Sequence, residues 1–200
     1  MKHANTFLVA IIPAKTDSTR LKKKNLQIIN GKTLLEHTID YALNSEYVKK
    51  IIVSTESKDV KEICMNYKRN ILVLERPEHL LKDAEVADVY VDIFQKQLER
   101  YNETEILKKS THIVALQPDN PDRNTSIDHL FDYFIDNTYM DLVTVDKYGS
   151  RNGATRIVKA EYVRSGMMSR RVGTFLDNCT NIHSPEDLMK AGKNLLAKKI

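Results

Sequence analysis

Two hundred residues, 42% apolar and 29% charged, are enough to bury one core without disulfide or metal staples, which excludes a disordered or fibrous chain. The net charge of +4 comes from 31 basic residues mixed with 27 acidic ones, a spread that argues against a nucleic-acid binder and suits a small anionic substrate. Cys64 and Cys179 are too few for a disulfide framework, no apolar run reaches the ~18 residues of a membrane span, and no secretory leader is evident, so the expected setting is the reducing cytoplasm, with no membrane contact.

Phe7 to Ile12 (FLVAII) reads as a buried strand that runs, at Pro13, into a polar loop reaching Asn25. A turn containing Gly31 leads into helical spacing from Leu34 to Leu43, with Leu34, Leu35, Thr38, Ile39 and Ala42 on one face. Lys50 to Thr55 is a second predicted strand, Lys58 to Tyr67 a helix, and Ile71 to Leu74 a third strand closed by Arg76-Pro77. Ala84 to Tyr101 is a long amphipathic helix, with Val86, Val89, Ile93 and Leu98 on its apolar side. His112 to Leu116 is the next strand and ends at Gln117-Pro118; a helix over 127–137 and a strand over 142–145 follow. Thr155 to Val158 and Phe175 to Asn178 read as shorter strands. The last helix, Pro185 to Lys198, has Ser184 as its N-cap, proline at the first helical position and Glu186-Asp187 in the first turn.

Strands alternating with helices imply βαβ units. The expectation is one domain over residues 1–200: a three-layer α/β/α, Rossmann-like fold with a mostly parallel central sheet. In such sheets ligands sit beyond the carboxyl ends of the strands. Three polar loops leave strands there, over 13–25, 54–57 and 117–126, and candidate chemistry is sought in them.

The first loop carries Lys15, Arg20, Lys22, Lys23 and Lys24, a cation cluster suited to a polyphosphate whose charge grows at the leaving pyrophosphate; composition alone suits a solvated basic loop equally well. It has no glycine and is not a P-loop. The third loop carries Asp119, a carboxylate of the kind that Mg²⁺–triphosphate chemistry requires; between two prolines it also suits an Asx-turn.

Ile12-Pro13-Ala14-Lys15-Thr16-Asp17-Ser18, then Lys24-Asn25 and Gly31-Lys32 with Leu34, resembles the signature of CMP-sugar synthetases, the acylneuraminate and 3-deoxy-manno-octulosonate cytidylyltransferases. Lys15 stands where that family has arginine. Ile52-Val53-Ser54-Thr55 with Glu56, Arg76-Pro77-Glu78, Asp83 followed by Ala87-Asp88-Val89, and Asn152-Gly153-Ala154 continue the resemblance along the chain. Gln117-Pro118-Asp119-Asn120-Pro121-Asp122-Arg123 shares Gln117, Pro121 and Arg123 with the neuraminate branch and Asp119 with the octulosonate branch.

The resemblance implies a nucleotidyltransferase fold and transfer of CMP from CTP to an acidic sugar, nonulosonic or 3-deoxy-keto, for surface-glycan synthesis, with release of pyrophosphate. It implies that Ala14, Lys15, Ser18, Arg20, Lys24, Asn25, Arg76 and Gln117 bind the nucleotide, and that Asp83, Arg123 and Asn152 face the sugar. Lys15, Lys24 and Asp119 are the implied catalytic set, with Asp119 holding Mg²⁺. Two departures stand out. The family's terminal D-I-D-T-P-E-D reads Asn181-Ile182-His183-Ser184-Pro185-Glu186-Asp187 here, so both aligned metal acids are replaced. Between Val145 and Asn152 the long excursion that builds the relatives' dimer is missing, so the expected assembly is a monomer or a different dimer. Two alternatives stay open: a nucleotidyltransferase with another base or acceptor, and a relative that binds ligand without turnover.

Overall fold

The computed structural model describes residues 6–16, 21–67, 71–81, 84–166 and 171–198. The apolar runs pair into a seven-stranded sheet. Strand β1 (Leu8–Pro13) is buried along its whole length, with β4 (Val48–Thr55) and β6 (His112–Leu116) parallel to it on either side. Beyond β4 lies β5 (Ile71–Glu75), also parallel. Beyond β6 the direction reverses: β8 (Arg151–Lys159) runs antiparallel to both β6 and β7 (Asp141–Val145), and β9 (Val172–Leu176) closes the edge parallel to β7. The mostly parallel sheet expected from the sequence is present, with β8 as its one reversed strand.

Alternation along β1 divides the core. Leu8, Ala10 and Ile12 face a layer that includes α1 (Leu34–Leu43), α2 (Lys58–Asn66) and α6 (Ile127–Asp136). Val9 and Ile11 face α3 (Val86–Asp92), α4 (Leu98–Arg100), α5 (Thr104–Lys109) and α7 (Ala160–Arg164). A π-helical turn, Ile93–Gln97, joins α3 to α4, so the long helix expected over 84–101 is one helical path with a widened middle. The hairpin of β2 (Ile28–Ile29) and β3 (Lys32–Thr33) turns on Asn30 and Gly31, both at positive φ, and Thr33 then caps α1 in a reciprocal box with Glu36. Helix α8 (Pro185–Ala197) packs on that hairpin through Ala191, Ile29, Leu34 and Ile182. None of the described helices is long and apolar enough to cross a membrane.

The topology brings the carboxyl ends of β1, β4, β5, β6, β7 and β9 to one side of the sheet. The antiparallel β8 begins there. The loops after β1 and β6, the first residues of β8 and the segment after β9 therefore share one rim.

Candidate active site

On that rim the chain after β1 makes a short 3₁₀ turn, Lys24–Leu26, entered through Lys23 at φ 49°. The turn is fixed by Asn25, whose Nδ2 donates to the Lys15 carbonyl at 2.7 Å. It directs the Lys24 ammonium onto Asp119 Oδ2, in the loop after β6, and onto the Ile182 carbonyl at 3.2 Å. Both partners are largely covered, their side chains 14% and 18% exposed. Ile182 N–H returns a bond to the Asp119 carbonyl at 2.9 Å. Two of the three catalytic candidates, separated by 95 positions in the chain, thus form an ion pair where three segments meet.

The third, Lys15, reaches the other way and donates from Nζ to the Leu81 carbonyl at 2.9 Å. Ala14 is buried, its N–H on the Ser54 carbonyl at 2.9 Å and its carbonyl accepting from Thr55 Oγ1 at 2.7 Å. Glu56, at the end of β4, accepts from both the N–H and the hydroxyl of Thr16 at 2.7 Å, which ties the first loop to the second. The other oxygen of Glu56 is buried without a hydrogen bond, and so is Nε of the 5%-exposed Arg76. Burial pushes the Arg76 pKa down, opposed by the negative charge of Glu56. Ser18, Arg20 and Asp83 lie outside the described residues.

Arg123 and Asn152, expected at the sugar end, face inward instead. The Arg123 guanidinium donates to the Ala154 carbonyl at 2.9 and 3.2 Å, to the Gln117 carbonyl at 2.6 Å and to Thr38 Oγ1 at 3.5 Å, and it lies 4.9 Å from the Tyr41 ring centroid. Asn152 accepts from Thr144 Oγ1 at 2.7 Å and Ala154 N–H at 3.0 Å, and donates to the Asp177 carbonyl at 2.7 Å. With their polar atoms committed, these two side chains shape the rim from below. Gln117 crosses the backbone of Gly153, where a Cβ would stand 3.0 Å from its Nε2.

Asp122 and Thr180 carry no signal of function in the sequence, yet they join the same rim. The buried Asp122 carboxylate accepts from Thr180 N–H and Oγ1, both at 2.8 Å, and from Asn194 of α8 at 2.7 Å. Amide oxygens of Asn25, Asn120 and Asn181 are buried there without partners. Such a set of oxygens and one ammonium–carboxylate pair can receive a polar, charged ligand but offers no nucleophile–base pair for covalent catalysis.

The family model described as Cytidylyltransferase matches residues 9–166. The chain belongs to that family. Among curated relatives, the CMP-N,N'-diacetyllegionaminic acid synthase of Legionella pneumophila is 30% identical over 116 residues, 58% of this chain and 47% of that protein. The N-acylneuraminate cytidylyltransferase of Escherichia coli O18:K1:H7 is 33% identical over 121 residues, 60% of this chain and 26% of that protein. The chain thus spans less than half the length of these relatives. A solved CMP:2-keto-3-deoxy-manno-octonic acid synthetase complexed with CTP superposes at TM-score 0.70 over 98% of this chain and 100% of its own, at 15% identity, a likeness of fold. The family match ends at residue 166, before the segment 177–183 that completes the rim.

Proposed function

We propose that this cytidylyltransferase moves the CMP group of CTP onto an acidic sugar, a nonulosonic or 3-deoxy-keto acid, and releases pyrophosphate. The observation that carries the reading is the Lys24–Asp119 pair, a cation from the loop after β1 on a carboxylate from the loop after β6, with buried unpartnered oxygens around it. Lys15, Ser18, Arg20 and Lys24 hold the triphosphate, with Ala14 and Asn25 shaping the loop. Arg76 and Gln117 face the nucleotide, and Asp83 borders the sugar. Arg123 and Asn152 act through the loops they hold. The sugar hydroxyl attacks the α-phosphorus in line with the departing pyrophosphate, so positioning and charge neutralisation supply the acceleration.

Asp119 and the buried, unpartnered Asn181 Oδ1 are hard oxygen donors of the type that Mg²⁺ accepts, the remaining positions falling to phosphate and water. Bound there, Mg²⁺ would neutralise charge on the triphosphate. An enzyme that consumes CTP and keeps two free thiols works in the cytoplasm. Without the relatives' excursion between Val145 and Asn152, it acts as a monomer or through another interface.

The test is pyrophosphate release from CTP with a panel of keto-deoxy acids, alongside melting shifts with each of the four nucleoside triphosphates. CTP should raise the melting temperature most, one acid should support turnover, and Asp119→Asn should lower kcat/KM about a hundredfold or more. Asn181 and His183, standing where relatives carry acids, favour a second reading: ligand binding without turnover. Selective CTP binding with no active acceptor would choose that one.

A further inference from the structure

We propose that Lys24 is a built-in counter-ion of Asp119, which bars a divalent cation from the site until a nucleoside triphosphate draws the ammonium away. The inference rests on the reading of Asp119 as the metal carboxylate.

The Lys24 ammonium already occupies the position of a cation. It bridges Asp119 Oδ2 and the Ile182 carbonyl, two oxygens from segments that are also joined by the Ile182 N–H bond to the Asp119 carbonyl and by Thr180 on Asp122. With both side chains largely covered, water screens the pair weakly. Among the described residues no three His, Cys, Asp or Glu side chains converge as a metal-binding group. The oxygens left without partners around the pair, on Asn25, Asn120 and Asn181, are neutral amides.

A second cation stands close by: Arg123, buried behind the loop, feels the charges of Asp177 and Asp119. A bare divalent ion would therefore trade places with an ammonium for a single carboxylate, with Lys24 and Arg123 left nearby as like charges. A triphosphate reverses that balance. It brings more negative charge than Lys24 alone can satisfy, so the ammonium moves to phosphate and Asp119 is released to a metal arriving with the nucleotide. The swing needs only side-chain rotation. The Lys24 backbone is held by the 3₁₀ turn and by the Asn25 bond to Lys15, while a lysine stem has free torsions.

Mn²⁺ is the probe, and water-proton relaxation enhancement, which rises when the ion is held by protein, is the readout. Titrated with Mn²⁺ alone, the native protein should bind on the order of tenfold more weakly than Lys24→Met, and Lys24→Gln should match the methionine variant if that one folds poorly. Lys24→Arg, which keeps the charge, should exclude Mn²⁺ as the native protein does. Adding Asp119→Asn to Lys24→Met should abolish the gained site. Adding CTP to the native protein should recruit Mn²⁺. Equal Mn²⁺ affinity of the native protein and both neutral variants without nucleotide overturns the proposal, and so does an arginine variant that admits the ion. If the neutral variants gain Mn²⁺ but calorimetry detects no CTP binding to the native protein, the counter-ion role stands and the cytidylyltransferase reading falls.

Discussion

Gly153 sits at φ +74° with Gln117 against it, so any side chain there meets both backbone strain and a steric contact. Gly153→Ala should cost about 1–3 kcal/mol in denaturant unfolding and displace Gln117. If Gln117 faces the nucleotide, the same variant raises the Kd for CTP; pairing it with Gln117→Ala should relieve the steric part and leave the strain. Cys179 makes a different prediction. Burial, and then the nearby Asp177 charge, push its thiol up to about 12. A thiol raised in the folded state favours folding most below its unfolded value, and that contribution fades as pH rises toward the folded one. Cys179 should therefore resist alkylation at neutral pH, and mass spectrometry should find it labelled rapidly only once the chain unfolds.

The elements show how far the sequence can be read. Strand β6 and helix α1 fall where their apolar spacing put them, because a fully buried strand and a one-faced helix leave plain patterns. Strand β8 extends well beyond the expected 155–158, since its polar position Asn152 is paid back by buried partners that no local pattern reveals. Its reversed direction is equally silent, because alternation has no sense of up or down. Strand β9 lies earlier than expected, over Val172–Leu176 instead of Phe175 to Asn178, and the short helices α5 and α7 escape notice because one or two buried side chains each set no period. Helix α8, by contrast, announces its start. Burial alone would raise the Asp187 carboxyl, but bonds from the His183 and Ser184 N–H groups and the Ser184 hydroxyl outweigh it and hold the pKa below the usual range. That contribution is present above the unfolded value near ~3.9 and is lost as pH falls through the folded one. Asp187→Asn should accordingly flatten the acid limb of a stability–pH curve followed by circular dichroism.

Across the whole molecule, the rim draws on residues from both ends of the chain. Lys24 and Asp119 could be nominated from their loops, but the sequence could not show that Asp122 joins them to Thr180 and Asn194, because that network spans segments far apart. Nor could it show that Arg123 turns inward: an arginine in a polar loop reads as exposed until its carbonyl partners are known. Asp122→Ala should lower stability by about 1.5–3 kcal/mol and weaken ligand binding by loosening 177–183, an effect visible as faster hydrogen exchange in that segment.

The turn over 146–150 joins β7 to β8 with Asp146 Oδ1 accepting from the Tyr148 and Ser150 N–H groups, and Tyr148 projects from it, 80% exposed. Because β8 sets out from the rim, that tip stands at the mouth of the molecule, outside its closed hydrogen-bond circuit. It is a natural insertion port: a fluorophore or a grafted module spliced there would leave the scaffold intact and sense whatever enters beside it.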